Sequence, residues 1–251
     1  MTSADQDTME AMLSSLSPND LILIGSSFFT SFLTAAVGIG GGTLLLAVMA
    51  QILPAAAIIP VHGVVQLGSN LGRSLLMLAH IHWPLVCVFI AGSLVGALVG
   101  GQLVVSLPST ILKPILGVFI LYSVWGPTFK TSTLSQSGLA LGGAVTTLLT
   151  LFVGATGPLV LSLVRTFQLS PAASVATNSI CVLMQHGLKI AVFGFLGFAF
   201  APYLTLVAAM ITTGFIGTYL GRAVLLKTPP AHFDGALKII LSILAVRLLL
   251  P

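Results

Sequence analysis

The sequence predicts an all-α polytopic membrane protein made of two internal repeats, each with about four long helices and one short broken or re-entrant helix. Three observations carry this reading. The chain of 251 residues has nine Lys/Arg and five Asp/Glu, 6% charged, against 57% hydrophobic residues and a mean hydropathy of +1.13. An ordinary soluble domain is about 25% charged, and a water-facing surface cannot be covered with so few charges. Uncharged spans are also long: Leu21–Gly72 is 52 residues, and Ser74–Leu112, Thr131–Val164 and Ile190–Gly221 follow. Each exceeds the roughly 20 apolar residues that cross a bilayer once. Finally, one order of segments occurs twice. Together these exclude a soluble enzyme, a secreted disulfide scaffold and a nucleic-acid binder.

Pro, Gly and charge punctuation cut the chain into ten apolar segments. In the first half they are Leu21–Val37, the short Thr43–Leu53, the long polar-studded Ala55–Ala79, the Gly-rich Trp83–Leu107 and Ile111–Trp125. In the second they are Leu139–Val153, the short Pro158–Phe167, the polar-studded Ala172–Leu196, the Gly-rich Ala201–Leu226 and Ala236–Leu250. The landmarks align at an offset of 116 to 121 residues: Val37-Gly38-Ile39-Gly40-Gly41-Gly42 with Val153-Gly154-Ala155-Thr156-Gly157-Pro158, Leu53-Pro54 with Ser170-Pro171, Gly96-x3-Gly100 with Gly217-x3-Gly221, and Pro108 with Pro229. Such recurrence marks an internal repeat. The organisation is therefore an acidic N-terminal segment (1–20), repeat one (21–126), a polar linker (127–136) and repeat two (137–251). The N-terminal segment holds Asp5, Asp7, Glu10 and Asp20 with no Lys or Arg before Arg73, which argues against a cleavable signal peptide.

If all ten segments cross, each half has five and the halves are inverted; if the short ones dip in and return, each has four and the halves are parallel. An outside N-terminus places Lys130, Arg165, Arg222 and Lys227 at cytoplasmic loops and leaves Lys113 and Arg247 opposite. That positive-inside bias favours inversion. The expected location is the bacterial cytoplasmic (inner) membrane, with multiple passes.

The candidate chemistry begins at Gly38, Gly40, Gly41, Gly42 and Thr43. Glycines at this density break one helix and start another. Irregular backbone at membrane depth survives only where protein buries it or water reaches it. The following helix aims its positive dipole end and free N–H groups at the break, which suits an anion. The matching break holds Thr156 and Gly157, with Pro158 in the first turn, where its missing N–H costs nothing. In an inverted repeat two such starts converge near the midplane. The competing reading is that these glycines only let helices pack closely.

The Gly-Ile-Gly-Gly-Gly block, its repeated counterpart and the Gly96-Ala-Leu-Val-Gly100-Gly101 run resemble the sulfite exporter TauE/SafE family, from about Leu21 to the end of the chain. The resemblance implies a two-fold repeated membrane domain that exports or imports sulfite, sulfonates and related small anions. One departure is Val48, which stands where the family often has Pro.

The two polar-studded segments supply the remaining candidates. His62, Gln66, Asn70 and Arg73 share a face of one helix, the last three at i, i+4 and i+7; Asn178, Gln185 and Lys189 share a face of the other at i, i+7 and i+11, with His186 beside them. Polar stripes in a bilayer are interhelical glue or a lined pathway. No Asp or Glu lies between Asp20 and Asp234, so Arg73 and Lys189 lack a carboxylate partner there. Either a substrate anion balances each cation, or each snorkels to a head group. Proton coupling would have to run through His62 or His186, both of which also suit a purely structural role. The function these features fit is a secondary transporter or facilitator of small anions, and the resemblance implies sulfite, sulfonates or sulfoacetate-like organic anions as that class. The rival classes are an intramembrane enzyme, which wants an embedded nucleophile with a base or a metal cluster, and a non-catalytic membrane subunit. His80-Ile81-His82 is a weak metal signal. No cofactor, metal or nucleic acid is expected; the partners are the anion, the bilayer and, as an open option, a second copy in a homodimer.

Overall fold

The computed structural model describes residues 17–37, 40–104, 109–126, 134–225 and 231–250. It is all-helical. In chain order the α-helices are α1 (Pro18–Val37), α2 (Gly41–Ile52), α3 (Ala55–Leu76), α4 (Trp83–Val104), α5 (Ser109–Trp125), α6 (Gln136–Val153), α7 (Gly157–Arg165), α8 (Pro171–Phe195), α9 (Leu204–Leu225) and α10 (Ala231–Leu249). Short 3-10 turns, Leu78–His80 and Ala201–Tyr203, precede α4 and α9. Each expected segment corresponds to one helix, and α2 and α7 are the short ones. Gln136, at the end of the expected linker, already belongs to α6, whose cap is Ser135 accepting the Gly138 N–H at 3.1 Å. Gly38, Pro108, Lys130, Lys227 and Pro229 lie outside the described residues.

Local chemistry sets the boundaries. Ser17 and Asp20 form a reciprocal capping box: the Ser17 N–H donates to Asp20 Oδ2 at 2.9 Å, and the Asp20 N–H donates to Ser17 Oγ at 3.2 Å. Ser170 Oγ accepts the Ala173 N–H at 3.2 Å to open α8, with Pro171 in the first turn. The end of α8 is closed by Gly197 at φ +82°, with the Gly197 N–H on the Gly194 carbonyl and the Phe198 N–H on the Phe193 carbonyl.

Helices from before and after the 127–133 stretch pack in pairs: α1 along α9, α4 along α6, α3 against α8 and α5 against α10. The first two pairs are close because one wall is glycine. A Cβ on Gly92 or Gly96 of α4 would overlap the carbonyl oxygens of Ala140 and Ala144 in α6, and one on Gly217 or Gly221 of α9 would overlap those of Phe28 and Phe32 in α1. This is the small-residue packing that brings helices together in lipid. The short helices sit inside. Leu44, Leu45, Leu46, Ala47 and Met49 of α2 are enclosed among α3, α5 and α10, while Val160 and Val164 of α7 join a second cluster with α4, α6 and α8. The outward faces remain apolar, with Leu98 72% exposed on α4 and Ile243 64% on α10. Apolar surface of this extent needs a non-aqueous solvent. Among the described residues, Trp83–Val104, Gln136–Val153 and the stretch Ala201–Gly221 are long and apolar enough to cross a membrane.

Candidate functional site

A cavity of about 50 Å³, with both polar and apolar groups in its wall, opens where the two helix breaks meet the polar faces of α3 and α8. Gly40, Gly42 and Thr43 of the first break form part of its wall, and Ala155, Gly157 and Pro158 of the second form another part. From α3 come His62, Gln66, Asn70 and Arg73; from α8 come Asn178 and His186, with Val182 between them; Thr34 of α1 completes the wall. The structure thus brings both breaks and both polar stripes to one place. Gly41, Thr156, Gln185 and Lys189 are not in that wall.

The backbone explains how the breaks are made. Gly40 is left-handed at φ +96° as the residue preceding α2, and Gly154 ends α6 at φ +77°. Both conformations favour glycine. Neither α2 nor α7 has a side-chain cap on its first turn, so the positive end of each helix dipole stands at the cavity; in α7 the Leu159 N–H is already on the Thr156 carbonyl at 3.0 Å and Pro158 has none, which leaves the Gly157 N–H. Adjacent glycines have different jobs. A Cβ on Gly41 would run into the Thr30 carbonyl and the Thr34 hydroxyl, so this glycine lets α2 press against α1. A Cβ on Gly42 would stand 3.1 Å from Gln66 Nε2, and one on Gly157 would meet nothing within 4 Å.

On α3 the i, i+4, i+7 spacing produces a hydrogen-bonded chain. Asn70 Nδ2 donates to the Gln66 carbonyl at 2.8 Å, and Arg73 Nη1 donates to Asn70 Oδ1 at 3.2 Å. Arg73 Nε is buried with no partner. His62 Nε2 lies 2.9 Å from the Gly42 carbonyl; a carbonyl only accepts, so this nitrogen carries the hydrogen. The Nδ1 atoms of His62 and His186 and Oδ1 of Asn178 are buried without partners. The two imidazoles meet edge to face, with centroids 5.9 Å apart, where α3 crosses α8.

The polar residues outside the wall act as interhelical ties. Gln185 Nε2 donates to Thr146 Oγ1 at 2.9 Å and Thr147 Oγ1 at 3.0 Å, while its Oε1 accepts from Thr156 Oγ1 at 3.2 Å. That joins α8 to α6 and to the start of α7. Thr177 accepts the His82 N–H at 3.0 Å, fastening the loop before α4. Lys189 is wholly buried, and its Nζ donates to the Gly154 carbonyl at 2.8 Å. Snorkelling to a head group is therefore overturned for Lys189: its stem runs through a notch left by Gly63, whose Cβ would come within 2.9 Å of Lys189 Cε. Thr34 and Val182 were not singled out from the sequence, where an apolar or lone hydroxyl residue carries no signal of what it faces; Ala155 and Pro158 entered there only as parts of the second break. The Thr146-Thr147-Thr150 run just before the second break was the available hint of the Gln185 ties.

An all-helical body with apolar outer faces and polar groups gathered inside is that of an integral membrane protein, and the polar interior between two broken helices suits membrane transport. The sulfite exporter TauE/SafE family matches residues 23–248, nearly the whole chain, and the chain belongs to that family. No curated protein and no solved structure matches the chain.

Proposed function

We propose that this protein is a multi-pass transporter of small anions in the bacterial cytoplasmic membrane, with sulfite and simple sulfonates as its substrate class. The observation that carries the reading is the convergence of both glycine breaks and Arg73 on one cavity, in a membrane domain with no Asp or Glu between positions 20 and 234. The anion would lie against the uncapped first turn of α2 and beside Gly157, with Arg73 as counter-charge and Asn178, His62 and His186 as polar neighbours. At about 50 Å³ the cavity is several times the roughly 10–15 Å³ that a single water requires, room on the scale of a sulfite-sized ion; a sulfoacetate-sized ion needs it to widen.

Reconstituted in liposomes, the protein is expected to give saturable uptake of labelled sulfite, with sulfoacetate a slower substrate. Uptake no faster than in protein-free liposomes, for sulfite and simple sulfonates alike, would overturn the reading. The pairwise packing of helices across the two halves fits a two-fold repeat, and the positive-inside bias of the loops favours its inverted form. Single cysteines at positions 5, 130 and 222, in a background lacking Cys87 and Cys181, test it with an impermeant thiol reagent. Positions 130 and 222 are expected on one side and position 5 on the other; labelling of 5 and 130 from the same side contradicts inversion.

A further inference from the structure

Lys189 is an unusual cation. It is wholly buried, and no carboxylate lies in the sequence between Asp20 and Asp234. Its one hydrogen-bond acceptor is the Gly154 carbonyl at 2.8 Å, which also accepts from Thr150 Oγ1 at 3.2 Å. Gly154 ends α6, and Ala155, the next residue, is already in the cavity wall. The carbonyl end of a broken helix carries the negative end of its dipole, and such ends hold the coupling cations of secondary transporters. Here that place is filled by a side chain of the chain itself, seated through the Gly63 notch.

We propose, building on the anion-transport reading, that Lys189 is the coupling site: it takes up one proton when an anion enters the cavity and returns it when the anion leaves, so that anion and proton cross together and no sodium ion is needed. The empty cavity offers a buried ammonium no counter-charge, which is costly, whereas a neutral amine still satisfies the Gly154 carbonyl with one N–H. A monoanion in the cavity supplies the missing charge. Anion and proton then favour each other's binding by the same factor. The proton comes from water on the side to which the cavity is open, adds to the Nζ lone pair, and is released on the other side; the charge moved per cycle is zero.

The other titratable and charged groups around Lys189 suit this role less well. His62 and Arg73 on α3 and His186 on α8 line the cavity, and both histidines lie within electrostatic reach of Lys189. His62, however, is bonded at the start of α2, where the positive dipole end opposes a further cation. α6 carries no titratable side chain, α4 only the exposed Cys87, and α7 only the exposed Arg165 at its far end; Cys181 is buried on α8 and His80 is exposed.

The probe is methanesulfonate, which stays a monoanion across the working range, so any proton taken up belongs to the protein. Binding to the purified full chain is measured by calorimetry at pH 7 to 9 in buffers of different ionisation enthalpy, and accumulation is measured in sodium-free proteoliposomes. The wild type is expected to take up close to one proton per anion within that range, and an imposed gradient of one pH unit to sustain about a tenfold accumulation, as one-to-one coupling requires. A potassium–valinomycin potential alone should sustain none. In Lys189→Gln, whose amide keeps a donor for the Gly154 carbonyl, and in Lys189→Arg, which cannot release its proton, proton uptake is expected to fall to zero and the accumulation ratio to one. Anion binding without proton uptake in the wild type, accumulation that follows the potential, or a sodium requirement overturns this inference and leaves anion transport standing. Proton-driven accumulation that survives in either variant also overturns it and moves the coupling to His62 or His186. Failure of the wild type to bind or carry either methanesulfonate or sulfite removes the transport reading itself, and this one with it.

Discussion

Gly157→Val is expected to abolish anion transport and leave folded protein at the wild-type level. Gly157 lines the cavity as the first residue of α7, and a Cβ there meets nothing within 4 Å. The isopropyl group would therefore extend from a Cβ that displaces nothing into the anion's space and cover the first turn. Flux per folded molecule should fall below about a tenth of wild type, because the interaction lost is the binding site and not one contact within it. Gly41→Val is the contrasting variant. Its side chain would enter the Thr30 carbonyl and the Thr34 hydroxyl, and overpacking of this kind costs about 1–3 kcal/mol or more. That variant should lose folded protein in a detergent size-exclusion profile. Full flux in folded Gly157→Val contradicts the placement of the anion; a monodisperse, thermally unchanged Gly41→Val contradicts the packing role.

Arg73→Gln is expected to lower anion affinity by at least tenfold, while Arg73→Lys keeps a large part of it. Arg73 Nη1 is held by Asn70, and Nε has no accessible surface, so a side-on two-point clamp through Nε is not offered to an ion in the cavity. What remains is positive charge and end-on contact through Nη2, which an ammonium also supplies in part. At an effective dielectric constant of about 20, unit charges about 6 Å apart interact by about 3 kcal/mol, and partial exposure of the side chain leaves a fraction of that. One decade in affinity is about 1.4 kcal/mol. Concentration dependence of sulfite uptake in the two variants checks the prediction. Equal loss in Lys and Gln would show that the planar guanidinium matters, and no loss in Gln would remove Arg73 from the site.

Much of this was legible in the sequence because glycine and proline punctuate membrane helices sharply. The Gly40–Gly42 and Gly154–Gly157 breaks, the Pro54 and Pro171 starts and the Gly-rich faces of α4 and α9 all mark real features. The spacing of Gln66, Asn70 and Arg73 placed all three on one face, and that face lines the cavity. The same reasoning misled for α8. Asn178, Gln185 and Lys189 share a face by periodicity, yet only Asn178 reaches the cavity, because the second half of that face crosses α6 and its threonines. Periodicity identifies a face and not what lies opposite it. Nor could spacing separate Gly41 from Gly42, since neighbouring positions on a helix look toward different neighbours. The apolar run marks the first helix only from Leu21, whereas the Ser17–Asp20 capping box starts α1 three residues earlier, at Pro18, because a polar cap carries no hydropathy signal.

The central claim is that one small anion sits between the two helix breaks. Selenite, the selenium counterpart of sulfite, scatters X-rays anomalously and so marks its own position in a crystal. Crystals of the full chain soaked in selenite are expected to show an anomalous peak in the cavity between the first turn of α2, Gly157 and Arg73, and to lose it when sulfite is added in excess. A cavity without a peak, in protein that carries selenite across liposome membranes, would contradict the account.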